Sequence, residues 1–305
     1  MPLGTAHVTN TTAATFIPEI WSDEIVAAYK NSLVMANLVK KMNFKGKKGD
    51  TVHIPSPTRG AASAKTASNQ VTLIAATEGE VVVSINQHFE YSRLIEDITE
   101  AQALSSLRQF YTDDAGHALA KVVDTSLIRL GRGARGGTAS GNVYSGGIIG
   151  STGVAYNTTN AANIADAGIR TAIQLLDDQD VPMDGRSLVV PPVARNSMLG
   201  INRFTEQAFK GTGSTLMNGE FGDIYGVKVY VSTNADTASG NSGTDRVALM
   251  FHRDWAVLVE QLGVRSQTQY KQEYLGTLFT ADTLYGVSEL RDYGAVPIVV
   301  DASAA

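Results

Sequence analysis

A chain of 305 residues, 43% hydrophobic and 18% charged, is long and apolar enough to bury a core and lies far from the composition of a disordered protein. It contains no cysteine, which excludes disulfides, thiolate zinc sites, iron–sulfur clusters and a cysteine nucleophile, because each needs the sulfur. Its 25 basic and 30 acidic residues leave a formal net charge of −5, which argues against a protein whose main task is to wrap nucleic acid by neutralising phosphates.

The N-terminal sequence MPLGTAHVTNTTAATF lacks the basic start and apolar run of a secretory signal, and no stretch of the chain reaches the roughly 18 apolar residues of a membrane span. From Met1 to Phe16 there is no Asp, Glu, Lys or Arg and no apolar period, so this segment reads as an arm that something else must order. From Pro18, suited to the first turn of a helix, Ile20, Trp21, Ile25, Tyr29 and Leu33 recur near helical spacing and predict an amphipathic helix up to about Lys41. The Gly-Lys turn FKGKKGDT leads into a short strand, in which Val52 and Ile54 alternate with Thr51 and His53 until Pro55 and Pro57 stop it. A second extended run, EVVVSINQHFEY, spans Glu80 to Tyr91 and is favoured by β-branched Val81, Val82, Val83 and Ile85. Between these strands, the connection from Pro57 to Gly79 is rich in Ala, Ser and Thr and carries only Arg59, Lys65 and Glu78 as charges. Hairpin loops usually take about 2 to 5 residues, so this much longer connection is expected to project.

A helix is predicted next, with Asp97 and Glu100 spaced as a capping box. Ile98, Ala101, Leu104, Leu107, Tyr111, Ala115, Leu119, Val122, Ser126 and Leu130 keep its period until Gly131 stops it. At this length the helix is on the order of 50 Å long and reads as a spine. Nine glycines between Gly131 and Gly153 then predict a finely turned loop. Ile164, Ile169, Ile173 and Leu176 suggest a helix, VPMDGRSLVVPP a turn, strand and stop, and VARNSMLGI a short helix. YGVKVYVSTN and DRVALMFHRDWAVLVEQLG give further strands, and the last sixty residues alternate like long antiparallel strands ending in VPIVV. There is no internal repeat.

Few residues suggest chemistry. Gly131, Gly133 and Gly136 spell GxGxxG, but that motif cradles pyrophosphate only where it follows a strand and opens a helix, and here it closes one. Arg129, Arg132 and Arg135 beside it are expected to be solvated arginines at a loop edge rather than phosphate ligands. Asp177, Asp178, Asp180 and Asp184 offer oxygens to a calcium ion but miss the spacing of an EF-hand loop, so a helix end running into a solvated turn is the expectation. His7, His53, His88, His117 and His252 are scattered singly, with no HExxH pair to set two imidazoles on one helical face. No GxSxG elbow and no GxxxxGK[ST] loop occurs. Trp21 and Trp255 fall inside apolar patterns and are expected to pack. Catalytic residues, cofactors and metals are therefore all expected to be absent.

The order of elements (arm, helix, long projecting hairpin, spine helix, mixed second half) resembles the tailed-phage major capsid proteins of the Hong Kong 97 type. The stretch from Leu176 through Val181-Pro182, Gly185-Arg186 and Val189-Val190-Pro191 to Pro192 resembles their helix-turn-strand. Tyr225-Gly-Val-Lys-Val-Tyr-Val-Ser-Thr-Asn234 resembles the strand that follows, and Tyr285-Gly-Val through Pro297-Ile-Val-Val300 the final strands. The resemblance implies an α+β capsid fold with an N-terminal arm and helix over residues 1–42 and an extended loop over 43–92. A peripheral domain on the spine helix over 93–131 and 253–292, and an axial domain over 132–252 and 293–305, would complete it.

The function so implied is mechanical: copies close as hexamers and pentamers into an icosahedral head shell around double-stranded DNA, which the acidic shell confines with only weak contact. The implied partners are a portal, cement or decoration proteins and a separately encoded scaffolding protein, since nothing of scaffold length precedes Pro18. The implied place is the virion, assembled in the bacterial cytoplasm without any membrane. Some relatives join an extended-loop lysine to a neighbour's peripheral asparagine. Lys65 is the only lysine between residues 57 and 79, and neither 93–131 nor 253–293 contains an asparagine, so subunits are expected to be held non-covalently. Two alternatives differ in class: an encapsulin-like nanocompartment shell, which shares the fold and encloses a cargo enzyme, and a hydrolase, which needs a converging polar site that the sequence does not display.

Overall fold

A computed structural model of the chain describes residues 33–46, 48–57, 60–71, 73, 78–97, 107–138, 141–157, 161–205, 222–239 and 245–302. His7, Trp21, Glu100, the arm and most of the first helix expected from the sequence lie outside these residues. The described chain begins with the short helix α1 (Met35–Leu38) and strand β1 (Lys40–Asn43), followed by β2 (Thr51–Pro57), β3 (Glu78–Ser84), β4 (Gln87–Glu96) and the long helix α2 (Leu107–Leu130). Next come β5 (Ile148–Ile149), α3 (Asp166–Asp177), β6 (Arg186–Val190), α4 (Pro192–Leu199) and α5 (Asn202–Thr205). The strands β7 (Asp223–Ile224), β8 (Val227–Val231), β9 (Thr237–Ala238), β10 (Asp245–His252), β11 (Ala256–Lys271), β12 (Gly276–Glu289) and β13 (Ala295–Val300) complete the order.

Three sheets result among the described residues. The first has four strands in the order β1-β11-β12-β4, with β1 parallel to β11 and the other pairs antiparallel. The spine helix α2 follows it: Ala115 and Leu119 pack with Phe279 and Ala281, and one end of the helix buries Leu127 and Ile128 against Met35, Trp255, Leu258 and Tyr285. Each large apolar side chain taken wholly out of water there stabilises the fold by about 1.5–3 kcal/mol. The second sheet runs β5-β13-β10-β6-β8-β7, with β9 on β10. Its strands β6 and β13 are buried along their whole length because neighbouring elements cover both faces; β13 reads as an unbroken apolar run, and β6 opens on Arg186 and Ser187 before its apolar Leu188, Val189 and Val190. Helix α3 lays Ile169, Ala172 and Leu176 into that core, with Gly168 held against the backbone of Gly150 so closely that no Cβ fits. The third sheet is the hairpin β2-β3, seated through Val52, Val83 and Ile85 on Val257 and Val259 of β11.

Several sequence expectations change. The helix expected up to about Lys41 ends at Leu38, and Lys40–Asn43 is a strand, because β11 offers an open parallel edge from Val257 to Glu260 that pairing satisfies. The run from Glu80 to Tyr91 is two strands in two sheets, broken at Ile85 and Asn86, so residues 87–92 belong with the four-stranded sheet. Pro55 and Pro57 do not stop β2; among the described residues it pairs only with β3, and an edge strand tolerates the missing N–H groups. The strands of the last third form as expected, β11 and β12 pairing from Ala256↔Glu289 to Lys271↔Gly276. Between Gly276 and Tyr285, β12 carries β4 on its other edge.

Candidate functional site

The residues singled out for chemistry do not converge. Gly131 ends α2 with Leu249 against it, and Gly146 and Gly137 crowd the carbonyls of Ala134 and Arg132, so the glycine-rich segment is a packed turn rather than a phosphate cradle. Asp177 accepts a hydrogen bond from Arg186 at 2.6 Å, Asp178 caps α3, and Asp180 occupies a left-handed turn with φ 54°. No group of three or more His, Asp or Glu residues able to hold a metal occurs among the described residues. His53 pairs with Glu80 across the hairpin at 3.0 Å, His88 with Asp282 at 3.1 Å, and the Nδ1 of His252 accepts the N–H of Asp254 at 3.1 Å. Lys65 lies in residues 60–71, every one of them exposed.

Arg132 departs from expectation. It is not solvated: its Nε and a terminal nitrogen donate to Asp236 at 2.7 and 2.9 Å, the other terminal nitrogen donates to the carbonyl of Gly141, and Tyr144 donates to Asp236 at 2.6 Å. Burial pushes the Asp236 carboxyl up, but the bonds from Arg132 and Tyr144 outweigh it and hold the group below the usual carboxylate range. The pair ties the end of α2 to the turn before β9, which a sequence separation of 104 residues hid.

The spine helix carries a second polar joint. Asp124, 1% exposed, accepts the N–H groups of Val34 and Met35 and the side-chain amide of Asn234. Thr125 bonds to Asn234, and Ser126 to the hydroxyl of Tyr285. One helical turn thus fixes the start of α1, the turn after β8 and strand β12. In the sequence only an Asp-Thr-Ser run inside a helical period marks it.

Apolar side chains and an open strand edge reach the surface. Val71 and Leu73 stand in solvent on the long connection between β2 and β3, Leu73 at 90% exposure. Past Glu260 the edge of β11 opposite β12 has no partner strand among the described residues, and 264–270 are all exposed. Tyr270, Tyr274 and Leu275 are exposed at the β11-β12 turn, and Val264 is exposed farther back along β11. An open edge and apolar tips of this kind invite pairing with another chain. No helix among the described residues is long and apolar enough to cross a membrane.

A family model described as phage capsid protein matches residues 31–300. No match is found among curated proteins. Among solved structures, one of Mycobacterium phage Che8 is 23% identical and superposes with a TM-score of 0.74 over 93% of this chain and 97% of that one. The capsid of the cyanophage P-SCSP1u is 18% identical with a TM-score of 0.76, over 99% of this chain and 97% of that one. The mature capsid of bacteriophage PhiM1 is 13% identical with a TM-score of 0.72, over 99% and 98%. Nothing in these likenesses favours a nanocompartment shell or a hydrolase.

Proposed function

The chain belongs to the phage capsid protein family and is a major capsid protein with the Hong Kong 97-type shell fold, and we propose that its copies close as hexamers and pentamers into an icosahedral head around double-stranded DNA. In this reading the four-stranded sheet and α2 are the peripheral domain, the six-strand path from β5 to β7 with α3 and α4 the axial domain, and the β2-β3 hairpin the extended loop. The loop then ends near Asn86 rather than at residue 92, because β4 joins the four-stranded sheet.

The observation that carries the reading is the hairpin connection. Residues 60–71 are exposed throughout and Leu73 almost wholly so, an arrangement a solitary subunit gains nothing from and a neighbour's surface covers. Stability of the shell comes from many repeated contacts, and an ordinary specific interface buries roughly 800 Å² on each partner. The subunit acts by shape and performs no catalysis. A net charge of −5 suits a wall that confines DNA with weak contact. A scaffolding protein, a portal and decoration proteins are the partners in this reading, the host cytoplasm is the place of assembly, and the virion is the destination. Electron microscopy of the purified protein, with and without a co-expressed scaffold, tests it: closed shells whose hairpins lie on neighbouring subunits are expected. A protein that stays monomeric at every concentration and with every head-gene partner overturns it.

A further inference from the structure

The four-stranded sheet carries unlike charge at its two ends. Its tip is the turn from β11 to β12, where Tyr270, Tyr274 and Leu275 are 48, 62 and 65% exposed beside the exposed carboxylates of Glu96, Asp97 and Glu273, with Lys271 as the cation among them. The tip is tied together: Tyr270 donates to Asp97 at 2.8 Å, the N–H of Asp97 donates to the carbonyl of Leu275 at 2.9 Å, and Gly276 lies so close to the carbonyl of Ile95 that no Cβ fits. Leu275 sits at φ 45°, in the left-handed region that glycine ordinarily fills, and holds its apolar side chain out to water there. The other end is β1 and the turn after it, where Lys40, Lys41, Lys45 and Lys48 are all exposed. Lys41 donates to the neutral amide of Asn37 at 3.2 Å, and the acids of this region are Asp50 and, opposite Asn43 on β11, Glu260. A groove of about 710 Å³ opens beside Lys40 and Lys41, lined also by Arg253, Asp184 and Asp254, with room for a tyrosine or leucine side chain.

We propose that these two ends are the halves of one interface: the tip of one copy docks on the lysine-bearing root of β1 in a second copy, Tyr274 and Leu275 entering the groove and the carboxylates facing the lysines. The contact rests on the shell reading and names the surfaces that join its copies. One chain cannot make it alone. Lys45 reaches across Gly263, and from there β11 still rises about 25 Å to Lys271, at about 3.3 Å per residue, whereas salt screens exposed charges beyond about 8 Å. Tip on tip would set carboxylates against carboxylates, which costs affinity. Among the described residues the hairpin connection from 57 to 79 offers one cation, Lys65, where the root offers four. Joining unlike surfaces makes the contact heterologous, so each copy passes a free end to the next and the series closes as a ring when the rotation allows. The exposed tyrosines supply the apolar anchor that such a contact needs at its centre.

The test uses the full-length chain co-expressed with its scaffold. Because the chain contains no cysteine, introduced thiols have only each other as partners within the shell. Particles of Lys41→Cys/Tyr274→Cys treated with a short bismaleimide should give a ladder of multiples of 32.4 kDa on a denaturing gel, and neither single variant should give one. Charge reversal reads the same contact: Glu96→Lys/Glu273→Lys and Lys41→Glu/Lys45→Glu should each lower the yield of closed shells about tenfold, and the chain carrying all four changes should recover most of it. Wild-type shells alongside a double-cysteine variant that stays monomeric on the gel overturn the contact and leave the shell reading standing, as do dimers from Tyr274→Cys alone or a fourfold variant no better than its parents. Absence of wild-type shells overturns both. If a reversed variant fails to fold, the cysteine pair, placed at two exposed positions, decides.

Discussion

At the scale of single residues, stability rests on two carboxylates, Asp124 buried and Asp236 part-buried, that the sequence presents as ordinary aspartates. Asp124→Ala strips acceptors from the N–H groups of Val34 and Met35, and leaving buried donors unsatisfied costs about 1–3 kcal/mol in total. Denaturant unfolding should show that loss, with Asp124→Asn recovering part of it through its remaining oxygen. Arg132→Ala leaves the part-buried Asp236 carboxylate with Tyr144 but without its cation, and losing hydrogen bonds to a charged group costs about 1.5–3 kcal/mol. Because Asp236 is held below its ordinary value of 3.8, its contribution is present above that pH and is lost as the pH falls through the lowered folded value. Acid titration of unfolding should therefore show a transition that Asp236→Asn removes, and an unchanged acid limb in the variant would contradict the pairing.

At the scale of elements, shape is set by close approach and by edges. Helix α3 reaches the backbone of Gly150 through Gly168, so Gly168→Ala must push helix and strand apart, an overpacking that costs about 1–3 kcal/mol and should lower the melting temperature by several degrees. The hairpin is anchored at its base by Val52, Val83 and Ile85 and exposed along 60–71, so its base and its far end should behave differently. In free subunits, hydrogen exchange over 60–71 should be fast while β2 and β3 are protected. In assembled particles both should be slow. Equal, strong protection of 60–71 in both states would mean that the hairpin needs no neighbour. The arm from Met1 to Phe16, expected to behave likewise, lies outside the described chain.

At the scale of the whole molecule the question is what joins the copies. The expectation of a non-covalent shell rested on the lack of asparagine in the peripheral segments, and the structure adds Asn43 to that sheet by bringing β1 alongside β11. Asn43 is exposed, and its side-chain oxygen accepts the N–H of Lys45 at 3.0 Å. Among the described residues Glu260 of β11 stands opposite it, but Asn43 itself faces water rather than the desolvated setting that amide transfer to Lys65 requires. Boiling particles in detergent should give a single band at 32.4 kDa, and a ladder of covalent multiples would establish a cross-link.

Much of this architecture is set by local pattern: the apolar period of α2, the apolar stretches within β6, β10 and β13, and the long connection whose composition cannot bury itself all follow from neighbours in sequence. The polar joints were not legible there. Asp124 meets Asn234 across 110 residues, Arg132 meets Asp236 across 104 and Trp255 meets Glu289 across 34, and no spacing rule links partners so far apart. Tertiary structure also decided the fate of Lys40–Asn43, because an open edge on β11 outweighs a helical period that runs up to it. Residues whose role is to bury a face declare it by repetition, whereas a residue whose role is one hydrogen bond to a distant element acquires it only when packing brings that element within about 3 Å.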